Sequence, residues 1–391
     1  MKSFFSMKIG ELNLVIATLM AILFVGTFLR FYALGEVPTG YNRDEASLGY
    51  TAYSLLQTGK DEYGRFWPLS LESFGDWKLP LYSYLTIIPV KIFSLSIFST
   101  RAVSALTGSL SILVIFFLAL ECFKNEKNPR LIAIFSSLFF ALLPWTIFFS
   151  RVAYEANLAL FLILLATLLF LIGFRRKSLL IVSSIIFTIT FFTYHSTHIF
   201  VPLYVLSLFV LFSKDIRISK NIFLKPGLIF ALGLVVTVYL ALFSADKTRF
   251  NGIGIFSERV KIHTEIELPL TYYPQNLKKF GKLIHNKFTY YAKTVAYNYV
   301  NFFSPQFLLE QGGTNQQHNP IGRGNLDPVT YVLFIVGAVS LCVRGKKIAN
   351  FVPLVMLLLA PLSASITRDA PHYARAIFAA GAIPLLAGYG L

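Results

Sequence analysis

Charge is scarce in this chain. Only 14% of its 391 residues are charged, against roughly a quarter in a soluble domain. A sequence that is 55% hydrophobic and 16% aromatic cannot cover its own surface with polar groups, so a soluble fold is excluded. Cysteine is nearly absent. Cys122 and Cys342 are the only two, each beside a basic cluster at the end of an apolar run, which removes a disulfide framework and a cysteine zinc site. An internal repeat, a low-complexity linker and a Gly-rich phosphate loop of the P-loop or dinucleotide type are also missing. Carboxylates are few, 19 against 35 Lys and Arg, for a net charge of +16. The basic excess is not spread as a nucleic-acid-binding face. It falls in short clusters between apolar runs: Lys124, Lys127 and Arg130; Arg175, Arg176 and Lys177; Lys214, Arg217, Lys220 and Lys225; Arg344, Lys346 and Lys347. Such clusters set membrane topology and attract anionic lipid. No nucleic-acid partner is expected.

Long apolar runs are what the sequence has in abundance. They predict helices near 12–34, 100–120, 131–149, 158–174, 179–193, 199–213, 226–244, 329–343, 351–366 and 376–391. The expected class is therefore an all-α polytopic membrane protein with about ten transmembrane helices, some shorter than the roughly 20 residues of a straight span. No small-residue cleavage site follows the first run, so it reads as an uncleaved helix. Basic clusters on one side, and only Arg151, Arg368 and Arg375 in the short loops of the other, put the N-terminus in the cytoplasm of a cell-membrane protein. Residues 1–391 read as one transmembrane domain with two long extracytoplasmic loops, 35–100 and 244–328. Within the first, Pro80 to Pro89 reads as an interfacial helix. The chain stops inside its last apolar run, and whether further helices or a C-terminal domain follow is left open.

Polar residues gather at the extracytoplasmic helix ends. Arg43, Asp44 and Glu45 follow the first span, where paired carboxylates near low-dielectric material point to a use; a solvated loop with an incidental ion pair is the plainer reading. Asp76 and Lys78 precede the interfacial helix, where the lysine can meet a phosphate or simply snorkel. Glu155 is the only acid between Glu126 and Asp215, at a helix start that also favours an acid by its dipole. His195 and His198 would need Glu155 or Asp44 to complete a metal site, and interfacial hydrogen bonding is the preferred reading for them. Arg368, His372 and Arg375 share one loop, with guanidinium groups suited to phosphate oxygens or to lipid headgroups. No single cluster is specific. Their agreement on one membrane face carries the weight.

Several of these stretches are similar to a known family. They are Asp44-Glu45-Ala46, Gly49-Tyr50-Thr51-Ala52, Leu55-Leu56-Gln57-Thr58-Gly59, Asp61-Glu62-Tyr63-Gly64, Asp76-Trp77-Lys78-Leu79-Pro80-Leu81-Tyr82 and Arg101-Ala102-Val103-Ser104-Ala105-Leu106-Thr107-Gly108. Together with Phe303-Ser304-Pro305-Gln306-Phe307-Leu308, they resemble the bacterial GT-C membrane glycosyltransferases of the protein O-mannosyltransferase and aminoarabinose transferase superfamily. The resemblance implies inverting transfer of a sugar from a polyprenyl-phosphate donor to a hydroxyl of a lipid, glycan or protein, at the extracytoplasmic face. It also implies Asp44 as base or acceptor-positioning group, Glu45 as its motif partner and Glu155 as a second acid. Lys78, Arg375 and His372 match positions expected to hold the donor phosphate, and Arg43, Asp76 and Arg368 join them as candidate substrate contacts. No cofactor is expected, with a divalent metal left open. The rival readings are a transporter or flippase of lipid-linked sugars and a catalytically inactive relative. A transporter tends to place charge near the bilayer midplane and to show paired halves, neither of which is visible here.

Overall fold

A computed structural model describes residues 9–218, 220–243, 254–257, 262–313, 315–319, 322–345 and 347–391. Residues 244–253, inside the second expected loop, and Lys346 of the last basic cluster lie outside the described residues. The chain begins with α1 (Ile9–Phe31), then α2 (Arg43–Thr58), strands β1 (Leu71–Ser73) and β2 (Asp76–Lys78), and α3 (Leu81–Phe93). Next come α4 (Ile97–Cys122), α5 (Pro129–Leu142), α6 (Pro144–Ser150), α7 (Glu155–Gly173), α8 (Ser178–Thr190), α9 (Thr197–Leu211) and α10 (Lys220–Phe243). The second half adds α11 (Lys287–Asn301), α12 (Pro328–Arg344), α13 (Val352–Leu359) and α14 (Ala379–Gly390).

Among the described residues, five helical spans are long and apolar enough to cross a membrane, and a sixth results if α5 and α6 count as one. The shorter apolar helices have 10–17 residues. Every apolar run expected as a span coincides with a helix or a helix pair, which makes this a multi-pass membrane architecture. The core is built on α4, which packs against α1, α3, α5, α6 and α7. α14 is buried on nearly all sides. Between α12 and α14 the backbones touch: a methyl group on Gly337 would stand 1.9 Å from the Leu386 carbonyl oxygen. Lipid tails are as apolar as leucine, so close contact of small residues, rather than hydrophobic exclusion, holds such a pair together. Gly337→Leu is expected to cost about 1–3 kcal/mol by overpacking, read as a lower melting temperature in detergent with α14 loosened.

One expected span is broken. The run 131–149 forms α5 and α6, bent by 56° at Leu143. Pro144 has no N–H for the Phe140 carbonyl four residues back. That oxygen instead accepts from Thr146 Oγ1 (2.6 Å) and from Arg30 of α1 (3.3 Å), while Arg30 also reaches the Ala141 carbonyl at 3.0 Å. A buried guanidinium at a helix C-terminus thus satisfies the carbonyls that the proline leaves open and meets the negative end of the helix dipole.

α2 and the hairpin cover one end of these helices. Asn42-x-x-Glu45 is a capping box, with the Asn42 side chain on the Asp44 and Glu45 N–H groups and Glu45 reaching back to the Asn42 N–H. Gly59 ends the helix in the left-handed region at φ 69°. β1 and β2 pair antiparallel, Leu71 opposite Lys78 and Ser73 opposite Asp76, around the two-residue turn Phe74-Gly75 with both φ positive. Such a turn matches the twist of a hairpin. The hairpin docks where Trp77 O meets His195 Nε2 at 3.1 Å. α3 follows, burying Tyr82, Thr86 and Val90 on one stripe and exposing Ile88 and Ile92, as expected of an interfacial helix.

Candidate active site

The adjacent carboxylates Asp44 and Glu45 have opposite fates, because neighbouring positions on a helix point about 100° apart. Glu45 faces inward. Its oxygens take Nε and a terminal nitrogen of Arg101 at 2.8 and 2.9 Å and the Ala153 N–H at 2.9 Å. The Arg101 and Glu45 side chains are 1% and 2% exposed. Arg101 further donates to the carbonyls of Leu34 (3.2 Å), Pro38 (3.0 Å) and Gly40 (2.7 Å). This buried knot ties the 34–40 turn, the start of α2, α4 and the turn before α7 into one frame. Arg151 extends the frame by donating to the carbonyls of Leu29, Tyr32 and Val37.

Asp44 stands on the frame and faces outward, with its side chain 44% exposed. The nearly buried ammonium of Lys78, delivered by β2, meets Asp44 Oδ1 at 2.9 Å. An ammonium has three donors, so this contact leaves Lys78 able to meet a further anion. Arg43 is exposed one residue away. Asp76 shares the face of β2 with Lys78, and its Oδ1 accepts the neighbouring Trp77 N–H.

The loop between α13 and α14 carries a second polar group. Arg375 donates to Thr367 Oγ1 (2.6 Å) and to Asp369 (3.4 Å), with its side chain 15% exposed. His372 is buried, and its ring centroid lies 4.6 Å from that of His318. The His318 ring also lies 5.1 Å from Tyr154. Burial, aided by Arg375, lowers the pKa of His318 to about 4 against the partial opposition of Asp44 and Asp369. The Arg375 backbone N–H lies 3.4 Å from His372 Nδ1, which joins this loop to the imidazole pair. Burial first, then His318 and Arg375, push His372 well below its ordinary value. Both rings are neutral at pH 7. His318 Nδ1 is buried without a hydrogen-bond partner among the described residues.

Glu155 opens α7 half-buried, with no ion-pair or hydrogen-bond partner among the described side chains. Its charge, after burial and the charges of Glu45 and Asp44, raises the pKa of the Tyr154 phenol. Tyr154 in turn donates to the Gln317 carbonyl at 2.5 Å and so ties the His318 loop over the site. Arg368 is turned aside toward the Gly254 carbonyl at 3.3 Å. His195 and His198 hydrogen-bond to the Trp77 and Phe191 carbonyls. Among the described residues no three His, Cys, Asp or Glu side chains form a group able to hold a metal.

Of the residues expected from sequence, Asp44 and Lys78 thus pair directly, with Arg43 exposed beside them, while His372 and Arg375 group with His318. Glu45 lies buried next to Asp44, and Glu155 follows Tyr154 at the start of α7. His318, Tyr154 and Arg101 were not singled out. For Arg101 the signal was present, an arginine opening an apolar helix. His318 sits in Gln317-His318-Asn319, a polar stretch without pattern.

No protein-family model and no curated protein sequence matches the chain. Solved structures do. ArnT from Cupriavidus metallidurans, bound to undecaprenyl phosphate, superposes with a TM-score of 0.58 at 13% identity, over 97% of this chain and 60% of that one. The chain has the GT-C membrane fold. The archaeal oligosaccharyltransferase AglB from Archaeoglobus fulgidus, in complex with an inhibitory peptide and a dolichol-phosphate, matches with a TM-score of 0.56 at 13% identity, over 97% and 50%. The chain spans about 60% and half of the lengths of those proteins. The resemblance read from the sequence holds at the level of fold.

The depressed imidazole pKa values fix a pH response. An unfolded histidine titrates near 6.5, whereas folded His318 titrates near 4. Between those values the unfolded chain binds more protons, so stability rises with pH and is lost as pH falls from about 6.5 toward 4. His372 adds in the same sense. His318→Gln is expected to flatten part of that slope in melting temperatures recorded from pH 7.5 to 4.5.

Proposed function

We propose that this chain is a membrane glycosyltransferase that moves a sugar from a polyprenyl-phosphate donor to a hydroxyl group of a lipid, glycan or protein. The observation that carries this reading is the half-exposed Asp44 carboxylate held 2.9 Å from the nearly buried Lys78 ammonium; the Arg375 guanidinium and the imidazoles of His318 and His372 are taken to complete the site. Asp44 takes the proton of the acceptor hydroxyl. The hydroxyl oxygen attacks the anomeric carbon on the side opposite the phosphate, and the bond from that carbon to the phosphate oxygen breaks with inversion. The departing polyprenyl phosphate keeps the electron pair, and its charge is met by Lys78 and Arg375, with Arg43 at the rim. Fixed cations of this kind act on charge that develops in the transition state. His318 Nδ1 supplies a neutral hydrogen-bonding group for a sugar hydroxyl. Glu45 is a positioning residue in this reading, since its oxygens are occupied by Arg101 and Ala153. The reaction has no step that requires a metal, and the active site faces away from the cytoplasm.

The test is sugar release from a panel of radiolabelled polyprenyl-phosphate sugars by purified protein in detergent, with cell-envelope acceptors added. Turnover of one donor supports a transferase. Binding without turnover across the panel would favour a transporter of the same lipids. Arg375→Ala is expected to lower kcat/KM for the donor by about 10²–10³-fold, by analogy with a lost oxyanion donor, with little change in acceptor KM. Equal effects on both substrates would remove the phosphate role.

A further inference from the structure

The second long loop carries a surface that the site chemistry does not use. Between Glu267 and Glu310 there is no Asp or Glu, but there are five lysines, at 278, 279, 282, 287 and 293. None of the five has an ion-pair partner among the described residues. Large apolar side chains stand out beside them: Tyr272 is 78% exposed, Leu283 70% and Phe288 80%. On α11, Phe288, Ala292, Ala296 and Val300 recur every fourth residue. They floor an open apolar cavity of ≈ 580 Å³ walled by Phe256 and Leu362.

The depth of α11 is fixed by two bonds. Asn298 Nδ2 donates to the Ser365 carbonyl (2.9 Å), and the Tyr299 hydroxyl donates to the Leu358 carbonyl (2.8 Å). Ser365 ends the apolar span Ile348–Ser365, and Leu358 lies seven residues inside it, about 10 Å along a helix. The end of α11 therefore sits level with the interior of a membrane span. Exposed lysines without acids, interleaved with exposed aromatic and aliphatic groups, and that depth are features of an element lying in a lipid interface.

We propose that residues 268–301 dock on the surface of the extracytoplasmic leaflet and bind its anionic phospholipids through these lysines. This inference does not depend on the transferase reading. A lysine near an anionic membrane surface contributes about fivefold in affinity, so charge decides how firmly the element sits.

The experiment places an environment-sensitive label at Leu283→Cys or Phe288→Cys in a Cys342→Ser background, Cys122 being buried. The protein is held in nanodiscs of phosphatidylcholine, alone or mixed with phosphatidylglycerol. Quenching by nitroxide lipid is expected to rise severalfold, and quenching by aqueous iodide to fall, when phosphatidylglycerol is present. Replacing Lys278, Lys279 and Lys282 by Glu should erase that response. A label at Val210→Cys, on the exposed face of α9, should stay lipid-quenched throughout and so report an intact, inserted fold. Equal iodide access in both lipids would overturn the proposal, and so would protection from both quenchers, which would mean that protein covers the face.

Discussion

Asp44→Asn should abolish measurable transfer while leaving a folded, inserted protein. General-base catalysis by a positioned side chain is worth about 10²–10⁴-fold, and an amide cannot accept the proton. The same substitution is structurally mild. Asp44 does not cap α2, because Asn42 does, and the amide oxygen of the replacement can still accept from Lys78. The Asp44 side of the pair is half-exposed and the Asn oxygen keeps a hydrogen bond to the nearly buried Lys78 ammonium, so the melting temperature should fall far less than on breaking a fully buried pair. Single-turnover transfer and thermal melts on the same preparation separate the two effects. Wild-type turnover by the variant would take Asp44 out of the mechanism, whatever the fate of the remaining site.

Its neighbour should behave in the opposite way. Arg101→Leu leaves Glu45 buried and unpaired, and strips the carbonyls of Leu34, Pro38 and Gly40 of their donor. Breaking a buried pair by removing one partner costs about 3–5 kcal/mol. We expect a large drop in melting temperature and in the yield of inserted protein. Because the penalty comes from the stranded charge, Arg101→Leu combined with Glu45→Leu should recover part of the loss, and the four-way comparison measures the coupling directly. A single Arg101→Leu variant that melts like the parent would mean that the knot does not hold the frame under Asp44. Together the two experiments distinguish a group that reacts from a group that positions, one residue apart in the chain.

The sequence by itself determined the class of this protein. Its apolar runs are longer than a soluble helix requires, and partition into lipid depends on composition over some 20 residues, a local property. Every expected apolar run therefore coincides with helical structure, and the polar residues of the helix ends include the Asp44–Lys78 pair. The capping box at Asn42 and Glu45 was equally local, and it places Asp44 in the first turn of α2. Tertiary structure alone decided which of the two acids is available. That choice rests on contacts 56 residues away at Arg101 and 108 residues away at Ala153, set by how α4 and α7 pack rather than by any pattern around residue 45. Packing also brought His318 against Tyr154 and His372 from a loop with no motif, and turned Arg368 aside toward Gly254. It broke the run 131–149 at Pro144, where Arg30 of another helix fills the gap in hydrogen bonding. Local free energies write the spans into the sequence. The site depends on angles and distances between spans, which no single segment encodes.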